Sequence, residues 1–314
     1  MKILITGGAG FQGSHLAESL VAQGHTVSIL NTYSEASLSN IAAVKDTVAV
    51  IWGSITDKEA VDKTVRGHDA VFHLAAHINV DESLRDPLVF FHANILGTYN
   101  VLEAVRKYGN RLILTSTCEV YGDGHDLKEN ELLNEHAELR PNSPYAASKA
   151  AADRIAYSYY KSFGLDITII RPFNIYGERQ KSGLFGALIP ILTARALRGQ
   201  NLTVFGDGSA TRDYLHVSDI VRGYTVVLSS AALCGQVVNF ASGVNTSVND
   251  IASFIAQHFN VGVDHAPARP GEVMRFPADI SLARSMGFAP QMGIWDGISR
   301  YITWAKEQAA ARHP

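Results

Sequence analysis

The stretch Lys2-Ile3-Leu4-Ile5-Thr6-Gly7-Gly8-Ala9-Gly10-Phe11-Gln12-Gly13 decides how this chain is read. Its opening residues are an apolar run that reads as a strand. Glycines come at once at 7, 10 and 13, a G-x-x-G-x-x-G array, and residues 14–23 read as a helix. In such a strand–turn–helix setting glycine permits the tight turn, lets the backbone approach a pyrophosphate and allows the helix to pack close to the strand. The helix N-terminus adds unpaired amides and a partial positive charge for an anion. A glycine-rich turn without a ligand is the alternative, and the flanking strand and helix speak against it.

Outward from this cradle the chain alternates. Residues 2–6, 26–30, 47–52, 69–74 and 111–116 are apolar runs rich in Val, Ile and Leu, as expected of parallel strands covered on both faces. Helix-like stretches at 14–23, 58–66 and 88–107 separate them, and 166–171 and 236–240 offer two later strands. The alternation predicts an α/β fold, a doubly wound parallel Rossmann sheet, with a smaller C-terminal substrate-binding lobe. We place the dinucleotide-binding domain at 1–171, with a returning strand near 235–241. The substrate lobe is mainly 172–314, where Arg171-Pro172, Gly206-Asp207-Gly208 and Arg269-Pro270-Gly271 mark a change of texture.

A formal net charge of −3 gives no electrostatic case for nucleic acid or a membrane surface as partner. The apolar runs are all read as shorter than the roughly 18 residues of a membrane span. Cys118 and Cys234 make no disulfide framework, so a cytoplasmic, reducing setting is expected. The 12 histidines are scattered without metal-motif spacing, most are expected at the surface, and no metal site is predicted.

The second strand of such a fold ends on an acid that grips the adenosine ribose of NAD. Asn31 stands there. An amide can still bond a ribose hydroxyl but no longer repels a 2′-phosphate. The first basic residue downstream is Lys45, which favours NAD over NADP.

Ser143-Pro144-Tyr145-Ala146-Ala147-Ser148-Lys149 reads as a helix start, with Ser143 as N-cap and Pro144 at the first helical position. Tyr145 and Lys149 then share one face, and an ammonium beside a phenol is expected to lower the phenol's pKa. Their partner stretch is Thr115-Ser116-Thr117-Cys118-Glu119-Val120-Tyr121-Gly122, at the carboxyl end of a strand, where ligands of open α/β sheets bind.

Together these stretches resemble the extended short-chain dehydrogenase/reductase family, in its nucleotide-sugar epimerase/dehydratase branch. Leu74-Ala75-Ala76-His77, Asn94-Ile95-Leu96-Gly97-Thr98, Arg171-Pro172-Phe173-Asn174-Ile175-Tyr176-Gly177, Thr211-Arg212-Asp213-Tyr214 and Arg269-Pro270-Gly271-Glu272 extend the resemblance over nearly the whole chain. It implies that Tyr145 takes the proton of a sugar 4-hydroxyl while hydride leaves carbon 4 for NAD. Lys149 would hold the nicotinamide ribose and Thr117 the 4-oxygen. It also implies that Gly7, Gly10, Phe11, Gln12, Gly13, Asn31, Ser54, Ile55, Leu74, Ala75, Ala76, His77, Asn94 and Thr115 line the cofactor. Val80, Asn174, Arg212 and Arg269 would face the nucleotide-sugar.

The fate of the 4-keto sugar depends on Cys118 and Glu119. A carboxylate beyond Thr117 adds a base for the hydrogen on carbon 5, and a thiol can protonate the departing 6-hydroxyl. The triplet Thr117-Cys118-Glu119 resembles that of the UDP-N-acetylglucosamine 5,6-dehydratases of tunicamycin-type pathways, and plant UDP-apiose synthases carry it too. Dehydration by 4,6- or 5,6-elimination is therefore the leading expectation. A 4-epimerase, a uronate decarboxylase (disfavoured by Arg212-Asp213) and a silent NAD(P)-binding sensor are alternatives. Cys118 can also be a mere apolar filler, and Glu119 a loop cap. Relatives pair two long helices across a twofold axis, so 88–107 and 145–163 are expected to form a four-helix bundle in a homodimer.

Overall fold

A computed structural model describes residues 1–123, 131–182, 186–268 and 273–312. Its central feature is a seven-stranded sheet. The first six strands are β1 (Lys2–Thr6), β2 (Thr26–Asn31), β3 (Ala49–Trp52), β4 (Ala70–His73), β5 (Arg111–Thr115) and β6 (Ile167–Pro172). Val237–Phe240 is the strand expected on the chain's return, and the order is Val237–Phe240, β6, β5, β4, β1, β2, β3. β1 pairs in parallel with both β2 and β4, so the order reverses at β1, where the glycine cradle emerges. A crevice at such a reversal is where doubly wound sheets bind ligands.

Helices α1 (Phe11–Ala22), α2 (Glu35–Asn40), α3 (Lys58–Val65), α4 (Val80–Arg85), α5 (Pro87–Phe90), α6 (Gly97–Tyr108) and α7 (Pro144–Phe163) connect the strands. Val61, Val65, Val101, Leu102, Val105 and Ala156 pack with Leu112, Leu114, Ile167 and Ile169 of the sheet. Each Val, Leu or Ile so buried contributes about 1.5–3 kcal/mol. The helix expected at 88–107 is continuous from Pro87 to Tyr108 but changes hydrogen-bond register, running through α5, a π-helical turn Phe91–Leu96 and α6. Pro87–Tyr108 is long and apolar enough to cross a membrane, contrary to the expectation of shorter runs. Half of its most apolar window is buried inside the protein, which is how a core helix acquires that composition. On the two helices expected to form the homodimer, Leu88, Leu96, Tyr99 and Phe163 are exposed.

The chain divides into two compact units: Met1–Gly122 with Glu138–Pro172 and Val221–Val238, and Asp123–Ala137 with Phe173–Ile220 and Asn239–Pro314. Besides the expected division near 171 and the strand returning near 235–241, two segments are assigned across it. Leu133 exchanges backbone bonds with Pro277 and Asp279, which ties its segment to the second unit. Conversely, the Arg111 guanidinium bonds the carbonyls of Val227, Leu228 and Ser230, which ties 221–238 to the first. In the second unit the strand Thr211–Asp213 pairs with Asn245–Ser247 and Arg275–Phe276, and Leu202–Phe205 pairs with Val263–Ala266. Its core gathers Ile189, Leu192, Ile251, Ile255, Ile298 and Ile302.

Candidate active site

α1 starts at Phe11, three residues before the expected 14, because Gly10 is its N-cap. Ser34, Asp57, Asn79 and Ser143 each accept a first-turn amide at the starts of α2, α3, α4 and α7. Gly10 has no side chain to do so, and no acidic residue lies in the first turn of α1. The early amides of a helix have no partner within it, so this end is left for an anion. Gly7 has φ 72°, and a Cβ there would stand 2.8 Å from the Ala75 nitrogen; a Cβ on Gly13 would collide with the Gly7 carbonyl oxygen. The cradle thus admits close backbone approach and fits a dinucleotide pyrophosphate.

The end of β2 is organised differently from expectation. The Asn31 carboxamide already has protein partners on both sides. Its Oδ1 accepts from the Ala9 amide at 3.3 Å, and its Nδ2 donates to the Thr32 carbonyl at 2.7 Å and Ser37 Oγ at 3.2 Å. Beyond β3, Ser54 Oγ lies 2.7 Å from Thr56 Oγ1, and buried Ile55 is held through its carbonyl by Asn100 at 3.0 Å. Leu74, Ala75 and Ala76 come directly after β4 and are partly buried.

A buried polar chain connects the cradle strand to α7. Thr6 Oγ1 lies 2.6 Å from His73 Nδ1, His73 Nε2 lies 3.0 Å from Thr98 Oγ1, and Thr98 donates to the Asn94 carbonyl at 2.6 Å. Because Thr98 gives its proton to Asn94, His73 carries its own on Nε2 and receives one from Thr6. Burial, with the nearby Lys149 charge, pushes the His73 pKa down to about 3, so the ring stays neutral. Asn94 in turn grips the exposed His77 by its amide (2.8 Å) and carbonyl (2.9 Å) and donates to Ser148 Oγ on α7 at 2.8 Å.

On α7, Ser143 caps the Ala146 amide at 3.1 Å and Pro144 occupies the first turn, as the sequence predicts. Tyr145 and Lys149 are 8% and 5% exposed. Lys149 Nζ donates to the Thr115 carbonyl at the end of β5 at 2.6 Å. Burial lowers the lysine's pKa to about 8, with the Asp153 charge opposing. The expectation of an acidified phenol fails for the free protein. Burial raises the Tyr145 pKa, a hydrogen bond with Thr117 opposes this, and the charges of Glu119 and Cys118 raise it further. Desolvation of the phenolate is the largest of these influences.

Thr117 ends the extended segment after β5 and caps a 3₁₀ turn Cys118–Tyr121, its Oγ1 accepting from the Glu119 amide at 3.3 Å. Cys118 is buried and Glu119 half-buried. Sequence reasoning missed three neighbours. Asp153, one further turn along α7, pairs with Arg171 at 2.9 Å, and a repeat of four from Tyr145 was the available signal. His73, within the strand read at 69–74 but given no role, is 2% exposed. Tyr224 accepts from Thr115 Oγ1 at 3.1 Å and donates to Gln12 Oε1 at 2.8 Å. No local pattern announces a contact spanning 212 residues.

In the second unit Asn174 Nδ2 donates to the Asp213 carbonyl at 3.0 Å, and Arg212 Nη1 donates to the carbonyls of Thr211 and Val273 at 2.9 and 2.6 Å. These two expected substrate contacts therefore meet on one strand. Arg269 lies outside the described residues. Val80 begins α4 in the first unit, 37% exposed.

A glycine cradle at the reversal of a parallel sheet, with a buried Tyr-x-x-x-Lys and a threonine at the next strand end, defines a dinucleotide-dependent enzyme of the short-chain dehydrogenase/reductase type. Residues 3–261 match the NAD dependent epimerase/dehydratase family, and the chain belongs to it. A dTDP-glucose 4,6-dehydratase of Streptomyces niveus is 34% identical over 329 aligned residues, covering 100% of this chain and 95% of the relative. A putative UDP-glucose 4-epimerase of Methanocaldococcus jannaschii is 33% identical, covering 97% and 98%. The dTDP-glucose 4,6-dehydratase DesIV of Streptomyces venezuelae, solved with NAD and TYD bound, superimposes with a TM-score of 0.89 at 30% identity, covering 99% of this chain and 98% of that one.

Proposed function

We propose that the chain is an NAD-dependent dehydratase of a nucleoside-diphosphate sugar, working through a 4-keto sugar. Gly7, Gly10, Phe11, Gln12 and Gly13 would cradle the cofactor's pyrophosphate, and Leu74 to His77, Thr115 and Lys149 would line its nicotinamide half. NAD would supply the hydride acceptor for carbon 4, the return of that hydride to carbon 6 (leaving the 4-ketone) or to carbon 4 (leaving the 5,6-alkene), and a positive charge that favours the phenolate. Tyr145 Oη receives the proton of the 4-hydroxyl, and Thr117 Oγ1 bonds the same oxygen. Glu119 then removes the proton on carbon 5, which the neighbouring ketone acidifies. The Cys118 thiol protonates the departing 6-oxygen, and water leaves. Asn174 and Arg212 are assigned to the nucleotide diphosphate, for which an arginine fork is suited.

The observation that carries this reading is Glu119, two residues beyond Thr117 on the same turn and near enough for its charge to act on Tyr145. A 4-epimerase has no use for a second base there. Relatives of nearly equal identity are named for different reactions, so likeness alone does not choose.

The test is turnover of UDP- and dTDP-linked sugars in deuterium oxide, monitored by NMR. We expect either a 4-ketone with deuterium at carbon 5 or a 5,6-alkene, whose carbon 5 has lost its hydrogen. Glu119→Gln should slow exchange at carbon 5 by about 100-fold while hydride transfer to NAD persists. Protium retained at carbon 5 with inversion at carbon 4 would make this an epimerase.

A further inference from the structure

The adenosine end of the cradle has lost its usual acid, yet the segment around it is built. Asn31 bonds the Ala9 amide at one end of α2, and Asn40 donates to the Ala9 carbonyl at 3.1 Å at the other. Both backbone polar groups of one glycine-loop residue, Ala9, are thus held by the asparagines that bracket α2. That ties residues 31–40 against the loop. Between residues 31 and 45 the only carboxylate is Glu35. It lies in the first turn of α2, and Tyr33 Oη donates to its Oε1 at 2.7 Å. The Tyr33 ring in turn meets Trp52, the last residue of β3, edge to face at 5.3 Å. Glu35 is exposed, but an aromatic pair orients it.

We propose that Glu35, oriented by Tyr33 and Trp52, selects between the two nicotinamide dinucleotides. Its carboxylate disfavours the 2′-phosphate that NADP carries and NAD lacks. Asn31 cannot exert that repulsion, being neutral and already bonded to the protein. The inference rests on the cofactor reading above and adds to it the residue that sets the preference.

The test is calorimetric titration of the full chain, freed of nucleotide, with NADH and NADPH, which needs no turnover. The wild type should bind NADH more tightly. Glu35→Gln should shift the ratio of dissociation constants about tenfold toward NADPH, and Tyr33→Phe should shift it less. Raising the salt to 0.5 M should narrow the wild-type ratio, because exposed charges are screened beyond about 10 Å at 0.1 M and over shorter distances above it. Adding Asn31→Asp to Glu35→Gln should restore the preference for NADH. A Glu35→Gln chain that binds NADH with the wild-type ratio overturns this inference alone. A wild type that binds neither dinucleotide overturns the cofactor reading and this one with it.

Discussion

Helix α7 of the first unit and the Glu178 cluster of the second both bury titratable groups, under opposite regimes. Lys149 has a backbone carbonyl and a neutral histidine nearby, and burial pulls its pKa down to about 8. Tyr145 is pushed up, so both groups are displaced toward their uncharged forms. Burial also acts against the Glu178 carboxylate. There, the approach of His216 (Nε2 to Oε2 3.5 Å) and the Arg300 guanidinium prevail, and its pKa falls to about 2. One set of groups stands ready to exchange protons. The other is fixed in its charged state, which is what stability requires and proton transfer does not.

The sharpest way to break this contrast is Tyr145→Phe. It removes the proton acceptor while leaving the apolar ring, so turnover should fall about 1000-fold, near 4 kcal/mol in barrier, with little change in melting temperature. Calorimetry and product assay on one preparation would check both halves. A variant that keeps turnover would dissolve the distinction.

Glu178→Gln should do the reverse, costing about 3 kcal/mol of stability at pH 7 with kcat of the folded protein unchanged. The sign is set by a folded pKa below the ordinary 4.5. The contribution is complete above pH 4.5 and is lost as pH falls from there toward 2. Wild type and variant should therefore converge in acid denaturation.

Lys149 gives the smallest effect, with a slope of the same sign in a higher pH window. Between its folded pKa of about 8 and the ordinary 10.5, the unfolded chain holds more protons than the folded one. The lysine should therefore add about 1 kcal/mol of stability between pH 8 and 9. Lys149→Met should flatten that rise in denaturant melts at the two pH values.

The same helix shows how far the sequence could be read. Ser143, Pro144, Tyr145 and Lys149 announce a helix start and a shared face, because capping and four-residue spacing are local properties. The pKa of Tyr145 was misjudged because a single neighbour is legible in sequence, whereas the desolvation that dominates depends on everything packed above the ring. Residues 88–107 were readable as helical, but not the π turn within the helix. The π turn there accompanies bonds from Asn94 to His77 and Ser148, and those partners are set by tertiary contact.

The sequence by itself determined the parallel α/β sheet and the cradle, since apolar periodicity and glycine placement act within a dozen residues. Only the tertiary structure decided that 123–137 and 221–238 exchange units, that Tyr224 reaches Gln12, and that Asn31 is bonded to its own loop. Those outcomes depend on which distant backbone carbonyls and side chains need partners once buried. No local pattern carries that information.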